Sequence, residues 1–485
     1  MSLFSDLALQ YIDGKWCPGA GSWDVIDLDP YTGEQLAAVT VATAAEVDAA
    51  YRAAERAQRP WAERSPYERR PVFERALRLV EEREEEITRA IVAELGGTRL
   101  KAAFEIALTK DVLRESVSYA LRAEGRVLPS PTPGKENRVY RLPVGVVGVI
   151  GSYDFPLFLA AKSVAPALAL GNAVVLKPHD YSPVVGGTLL AWLLQDAGLP
   201  PGLLNVVITD TSEIGDAFLE HPVPRVLSFT GSTESGRHVA GVAARHFKRT
   251  VLEMSGNSAL VVLDDADVDY AVDAAVFSRF AHQGQVCMAA NRVLVDRALL
   301  PEFAEKFVAK AAALKTGDPS DPATQLGPLI GAREAADLAA RVDAALAAGA
   351  TALLRGRTEG TLVEPTVLTG LPADSELLRR EFYGPVAFLL PFTGEDEAVR
   401  IVNDTPFGLS GAVHTRDLER GVRLAGRIDS GMVHVNDGTI HDEPLVPFGG
   451  EKCSGLGRLN GESTVDAFTT LKWISVQHGR THFPF

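Results

Sequence analysis

Val144-Gly145-Val146-Val147-Gly148-Val149-Ile150 has no polar side chain, and its reading decides the fold. Branched aliphatic residues this dense predict a strand buried on both faces. Four further β-rich runs follow: Ala173–Leu176, Leu204–Ile208, Arg225–Phe229 and Thr250–Leu252. Helical stretches, such as Pro183–Gly198 and Thr233–Ala244, lie between them. Strands alternating with helices predict a parallel, doubly wound sheet. A second block of the same α/β texture opens at Ala259–Leu263 and runs to about Met432. Upstream, the first fifty residues read as short strands and turns, around Tyr11–Trp16 and the Asp29-Pro30-Tyr31-Thr32-Gly33 turn. From about Ala44 to Tyr119 the texture is helical. Within it, Arg69 to Leu95 carries apolar residues at helical spacing up to a break at Gly96-Gly97. The Pro-rich strip Leu128–Gly134 is an excursion between elements, and the tail Phe468–Val476 is β-prone and able to pair with another chain.

Composition narrows the function classes. The chain has 485 residues, 46% of them hydrophobic, and a formal charge of −15. So acidic a surface disfavours nucleic acids and anionic membranes. Its longest apolar stretch, Phe155 to Leu176, is interrupted by Lys162 and Asn172, so no segment reaches the roughly 18 uncharged residues of a membrane span. The N-terminus places Asp6 and Asp13 where a secretory signal would need a basic start and an apolar block. Cys17, Cys287 and Cys453 are few and far apart. That spacing predicts a reducing, cytoplasmic setting, with no disulfide framework and no metal site.

A doubly wound sheet raises the question of a dinucleotide. The usual Gly-x-Gly-x-x-Gly turn is absent, because Gly145, Gly148 and Gly151 have the wrong spacing. Phe229-Thr230-Gly231-Ser232-Thr233-Glu234-Ser235-Gly236 is a better candidate, with a strand end, a tight turn and donors at a helix N-terminus. Taken alone it reads equally well as a capped helix start. Cys287, in His282-Gln283-Gly284-Gln285-Val286-Cys287, reads alone as a buried apolar filler at least as well as a nucleophile. Glu253, in Val251-Leu252-Glu253-Met254-Ser255-Gly256, reads alone as a strand-end charge.

Together these segments resemble the NAD(P)-dependent aldehyde dehydrogenase superfamily, over essentially the whole chain. Ser152 to Pro156 matches the family's Pro-Trp-Asn-Phe-Pro segment, Glu253-Met254-Ser255-Gly256 its base motif, and Gly284 to Cys287 its nucleophile motif. The separations 287 − 253 = 34 and 253 − 154 = 99 also fit. Lys177-Pro178, Gly231–Glu234, Glu381–Val386, Pro447–Gly450 and Ser454–Arg458 complete the series in order. Within the family, His434–Pro444 and Ser163–Asn172 are similar to the benzaldehyde, vanillin and salicylaldehyde dehydrogenases.

The resemblance implies an α/β aldehyde dehydrogenase-like fold, with two doubly wound α/β domains and a small β oligomerisation arm. The nucleotide-binding domain would take 1–123 and 144–254, the catalytic domain 255–465, and the arm 124–143 with 466–485. It also implies oxidation of an aldehyde, aromatic in this subgroup, to its acid. Cys287 attacks the carbonyl, position 154 and the cysteine's own N–H hold the oxyanion, and Glu253 activates water for deacylation. NAD is the implied cofactor, with NADP open. Lys177, Asp180, Gly231, Ser232, Glu381 and Phe155 would contact it, Asp180 accepting from the ribose 2′-OH. Phe158, Lys162 and His441 would line the substrate pocket, and Phe155 and Phe158 read equally as pocket wall or core. The implied assembly is a homodimer or homotetramer. Two positions depart from the family: Asp154 stands for Asn, and Ser255 for Gly. An ionised Asp154 would remove a donor and oppose the oxyanion, whereas a neutral carboxyl would still donate. That leaves a catalytically impaired, cofactor-binding protein as the alternative. A coenzyme A-acylating enzyme is the third reading, and Glu253 speaks against it.

Overall fold

The computed structural model describes residues 3–372 and 374–485. Its first sheet has eight strands. The five in the middle, in the order Leu204–Val206, Ala173–Lys177, Val146–Ile150, Val226–Gly231 and Arg249–Met254, are all parallel. Chain order reverses between Val146–Ile150 and Val226–Gly231, so the crevice beyond their carboxyl ends is where such a sheet takes a ligand. Val146, Val147 and Val149 are buried, as an unbroken apolar strand requires. Gln10–Ile12 and Lys15–Cys17 extend one edge antiparallel, the short strands expected near the N-terminus. At the other edge Gly455–Leu456 pairs antiparallel with Leu252 and Glu253. A segment two hundred residues downstream by number thus belongs to the first sheet.

Helices cover this sheet. Ala44–Glu63 opens on a capping box between Thr43 and Glu46, and Glu84–Leu95 stops at Gly96, whose φ is 62°. The helical run read from Arg69 to Leu95 is two helices, Pro66–Glu82 and Glu84–Leu95, parted at Arg83. Pro156–Ala169 is the first crossover, buried along its whole length, with proline at its start.

The second sheet has seven strands, from Ser258–Val262 to His434–Val435 in the chain. All pair parallel except Thr351–Leu354, and the order reverses between Ser258–Val262 and Gly411–His414. The tail strand Thr469–Gln477 pairs along nine residues with Lys135–Pro143 of its own chain, and Arg126–Leu128 lies beyond. Among the described residues no strand pairs with its other edge, and the strand carries Leu471 and Trp473 with most of their surface exposed.

Candidate active site

Three sequence-predicted residues meet at one point. Asp154, Glu253 and Cys287 all border a groove of about 1030 Å³ at the carboxyl ends of the first sheet. The same three border a narrow apolar channel. The two spaces therefore meet at the sulfur.

Cys287 follows the turn Ala281–Gly284, where His282, Gln283 and Gly284 all have positive φ, of 47°, 56° and 72°. Two such non-glycine residues in a row are strained, so other contacts must hold them. Gln283 Nε2 donates to the carbonyls of Gly96 (3.1 Å) and Pro328 (2.8 Å), and Gln285 Oε1 accepts from the Ile330 N–H at 3.0 Å. Gly284 cannot be replaced, because a Cβ there would lie 2.5 Å from the Gly384 carbonyl oxygen. The motif residues before the cysteine are thus its mounting. Burial pushes the half-buried Cys287 thiol well up, as do the negative charges of Asp154, Glu381 and Glu253, while Lys162 opposes them.

Glu253 sits near the end of Arg249–Met254 and is buried. Burial raises its pKa, and Lys162 works against the rise. Lys162 Nζ is 3.2 Å from Glu253 Oε1 and 2.8 Å from Asp442 Oδ2, and it lies 3.4 Å from the centroid of the Phe448 ring. Burial alone would lower its pKa, but Asp442 and Glu253 raise it on balance. The placement of Lys162 in the substrate pocket is corrected here. The ammonium is desolvated, so it pairs with the Glu253 and Asp442 carboxylates, and the residue does not border the channel. Asn460 Nδ2 holds Asp442 Oδ1 at 2.6 Å. Sequence reasoning missed both Asp442 and Asn460.

Asp154 is buried and accepts from Ser152 Oγ at 2.8 Å. The helix that follows is capped by Glu105, which accepts from the N–H groups of Leu157 (2.9 Å) and Phe158 (3.3 Å) and pairs with Lys101. Lys101 Nζ stands 4.7 Å over the Phe155 ring. This support was also missed, because Lys101 and Glu105 come from a helix some fifty residues upstream. The assignment of Phe155 to the cofactor is corrected as well. Its ring packs edge-on against Phe104 and His282 and faces the apolar channel, not the groove.

Lys177, Asp180, Gly231, Ser232 and Glu381 all line the groove. Asp180 Oδ1 is buried without a hydrogen-bond partner, 3.8 Å from Lys177 Nζ, an acceptor open to a hydroxyl group. Burial raises the Asp180 pKa, and Lys177 counters it. Ser232 caps the thirteen-residue helix Thr233–Arg245, whose first N–H groups face the groove where an anion is favoured. A Cβ on Gly231 would meet the Phe229 ring at 2.7 Å. Burial pushes Glu381 up to about 7, although it accepts from the Ser255 hydroxyl and from the Gly256 N–H at 3.2 Å. Ser255, a departure from the family, is therefore a donor to a groove carboxylate. An open acceptor, an anion-favouring helix start and a second carboxylate in one long groove fit a dinucleotide.

The channel is walled by Phe104, Phe155, Phe158, Met288, Ile440 and Phe448. His441 also borders the channel and is half-exposed, with Nε2 2.8 Å from Glu443 Oε1. Among the described residues no group of three or more His, Cys, Asp or Glu could hold a metal ion, and no helix is long and apolar enough to cross a membrane.

The model of the aldehyde dehydrogenase family matches residues 16–474. The chain is 54% identical to a benzaldehyde dehydrogenase of Bacillus subtilis over all of both chains. It is 45% identical to a vanillin dehydrogenase of Corynebacterium glutamicum, covering 97% of this chain and 98% of that one. Among solved structures, a salicylaldehyde dehydrogenase from Pseudomonas putida G7, complexed with salicylaldehyde, superposes with a TM-score of 0.95. It is 33% identical, over 98% of this chain and 99% of that one. An NAD-dependent benzaldehyde dehydrogenase from Corynebacterium glutamicum superposes with a TM-score of 0.90 at 42% identity, over 98% and 99%. With Cys287, Glu253 and Asp154 set between groove and channel, and with these matches along its length, the chain belongs to the aldehyde dehydrogenase family.

Proposed function

We propose that this protein oxidises an aromatic aldehyde to its carboxylic acid with NAD. The observation that carries the reading is the meeting of an apolar channel and a dinucleotide-sized groove at Cys287, with Glu253 and Asp154 beside it. An aromatic ring fits a channel walled by phenylalanines, and its aldehyde carbon reaches the sulfur. Cys287 gives up its proton, and Sγ bonds to the carbonyl carbon, forming a thiohemiacetal. Glu253 is the nearby base able to take that proton. The negative charge gathers on the former carbonyl oxygen, between the Cys287 N–H and position 154. Bound NAD supplies the two-electron acceptor. As hydride leaves the carbon for that acceptor, Cys287 is left carrying the acyl group as a thioester; Glu253 releases the cysteine's proton to solvent and then draws a proton from the attacking water. Lys162 steadies the Glu253 carboxylate, and the acid leaves as the Cys287 sulfur takes back a proton from Glu253.

Lys177, Asp180, Ser232 and Glu381 hold the dinucleotide, and the open Asp180 acceptor suits a ribose 2′-OH better than a 2′-phosphate. Residues 1–123 with 144–254 form the nucleotide-binding domain, 255–465 the catalytic domain, and 124–143 with 466–485 an arm. The exposed Leu471 and Trp473 on an unpaired edge support an arm that joins copies into a homodimer or homotetramer. Three free cysteines suit the cytoplasm. NADH formation with benzaldehyde, run with and without coenzyme A, tests the reading. Turnover independent of coenzyme A is expected. Turnover that requires coenzyme A would make it an acylating enzyme, and none with any aromatic aldehyde would overturn the oxidation.

A further inference from the structure

We propose that His441 is the specificity-determining residue for phenolic aldehydes, its ring accepting a hydrogen bond from a hydroxyl on the substrate's aromatic ring. The inference rests on the reading above that the channel takes an aromatic aldehyde. Away from the sulfur, the channel wall is hydrocarbon: Phe104, Leu108, Phe158, Met288, Ile440 and Phe448. The polar groups Asp154, Thr230, Glu253 and Cys287 cluster where the aldehyde reacts, since all four also border the groove. Two polar side chains remain. Asp442 is committed, Oδ2 to Lys162 and Oδ1 to Asn460. His441 is the one with an atom to spare.

Its tautomer follows from its partner. A carboxylate only accepts, so the Nε2 facing Glu443 Oε1 at 2.8 Å carries the proton. In the neutral ring Nδ1 is then a lone-pair acceptor. His434, with its ring centroid 5.4 Å away and packed edge-on, and Glu443 hold the imidazole plane. An acceptor at a half-open channel end selects for a hydroxyl, which can donate, and against a methoxy group, which cannot. Elsewhere on the wall a hydroxyl would be buried without a partner, which is costly.

The test uses benzaldehyde and its 2-, 3- and 4-hydroxy and methoxy derivatives at pH 8.5, with the parent, His441→Phe and His441→Gln. For at least one hydroxy isomer His441→Phe should lower kcat/KM about tenfold more than it does for benzaldehyde and the methoxy compounds. His441→Gln, which keeps an acceptor, should recover part of the loss. Calorimetric binding of the same aldehydes to Cys287→Ala, with and without His441→Phe, gives a readout free of turnover. Hydroxyl discrimination in binding without NADH formation would sustain this proposal while overturning the oxidation. Equal loss for all aldehydes, or no loss for any hydroxy isomer in either measurement, would overturn the role of His441.

Discussion

Replacing Lys162 by Met leaves Glu253 and Asp442 buried with no cation between them. At an effective dielectric of about 20, a unit charge 3.2 Å from Glu253 contributes about 5 kcal/mol of attraction, and at 2.8 Å from Asp442 about 6 kcal/mol. Desolvation offsets much of this, and breaking a buried pair costs about 3–5 kcal/mol net. The cheapest relief is to protonate a carboxyl. If about 3 kcal/mol falls on Glu253, its protonated form is favoured about 100-fold more than in the parent. A protonated Glu253 cannot draw a proton from water, so deacylation near pH 7 slows about 100-fold and recovers as pH rises. The assay is rapid-mixing NADH formation from pH 6 to 10. The Met variant should give a burst of about one NADH per site and then a slow steady state, with a tenfold gain per pH unit over part of the range. Lys162→Arg, which keeps the charge, should stay near the parent and separates the charge effect from misfolding. A Met variant that folds, lacks the burst and follows the parent's pH profile would refute the role given to Lys162.

After burial, the Asp154 charge does most to raise the Cys287 thiol, so Asp154→Asn should lower it. Iodoacetamide alkylation of Cys287 at pH 8 should become several-fold faster, and hydride-transfer rates should rise by as much as the 10²–10³ of one oxyanion donor. Unchanged alkylation and hydride transfer would mean that position 154 already donates as a neutral carboxyl. Burial pushes the Asp27 carboxyl up to about 7, against Glu94. Its folded pKa exceeds the unfolded value near 4, so its stabilisation is complete below about pH 4 and is lost as pH rises to about 7. Asp27→Asn should flatten the fall of Tm between about pH 4 and 7, and an unaltered slope would assign that fall to other groups. Glu105→Gln should slow thiohemiacetal formation while leaving NAD affinity within about twofold, as read by fluorescence titration. A loss of NAD affinity instead would mean that Glu105 supports the groove and not the Asp154 loop.

Much of this was legible in the chain itself. The parallel sheets announced themselves because doubly buried strands must be unbroken apolar runs, and Val146–Ile150 is one. Cys287, Glu253 and Asp154 stood at strand ends and loops, where short motifs are local and carry their own signal. Every residue of Pro156–Ala169 is buried, so no polar face tells which side of the helix meets the channel, and Lys162 turns to Glu253 and Asp442. The missed residues share another feature. Asp442 is 280 positions from Lys162, and Glu105 is 52 from Leu157. A buried ion pair across such a distance leaves no periodicity in either segment. Gly455–Leu456 likewise joins the first sheet as a two-residue strand, too short to announce itself.

The central claim is that Cys287 carries the acyl group and Glu253 releases it. Glu253→Gln incubated with NAD and benzaldehyde, quenched in acid and examined by mass spectrometry, tests it directly. The account predicts one benzoyl group per chain, on the peptide containing Cys287, together with about one NADH. An unmodified Cys287 peptide after that NADH has formed, or a benzoyl group on Cys17 or Cys453, would contradict it.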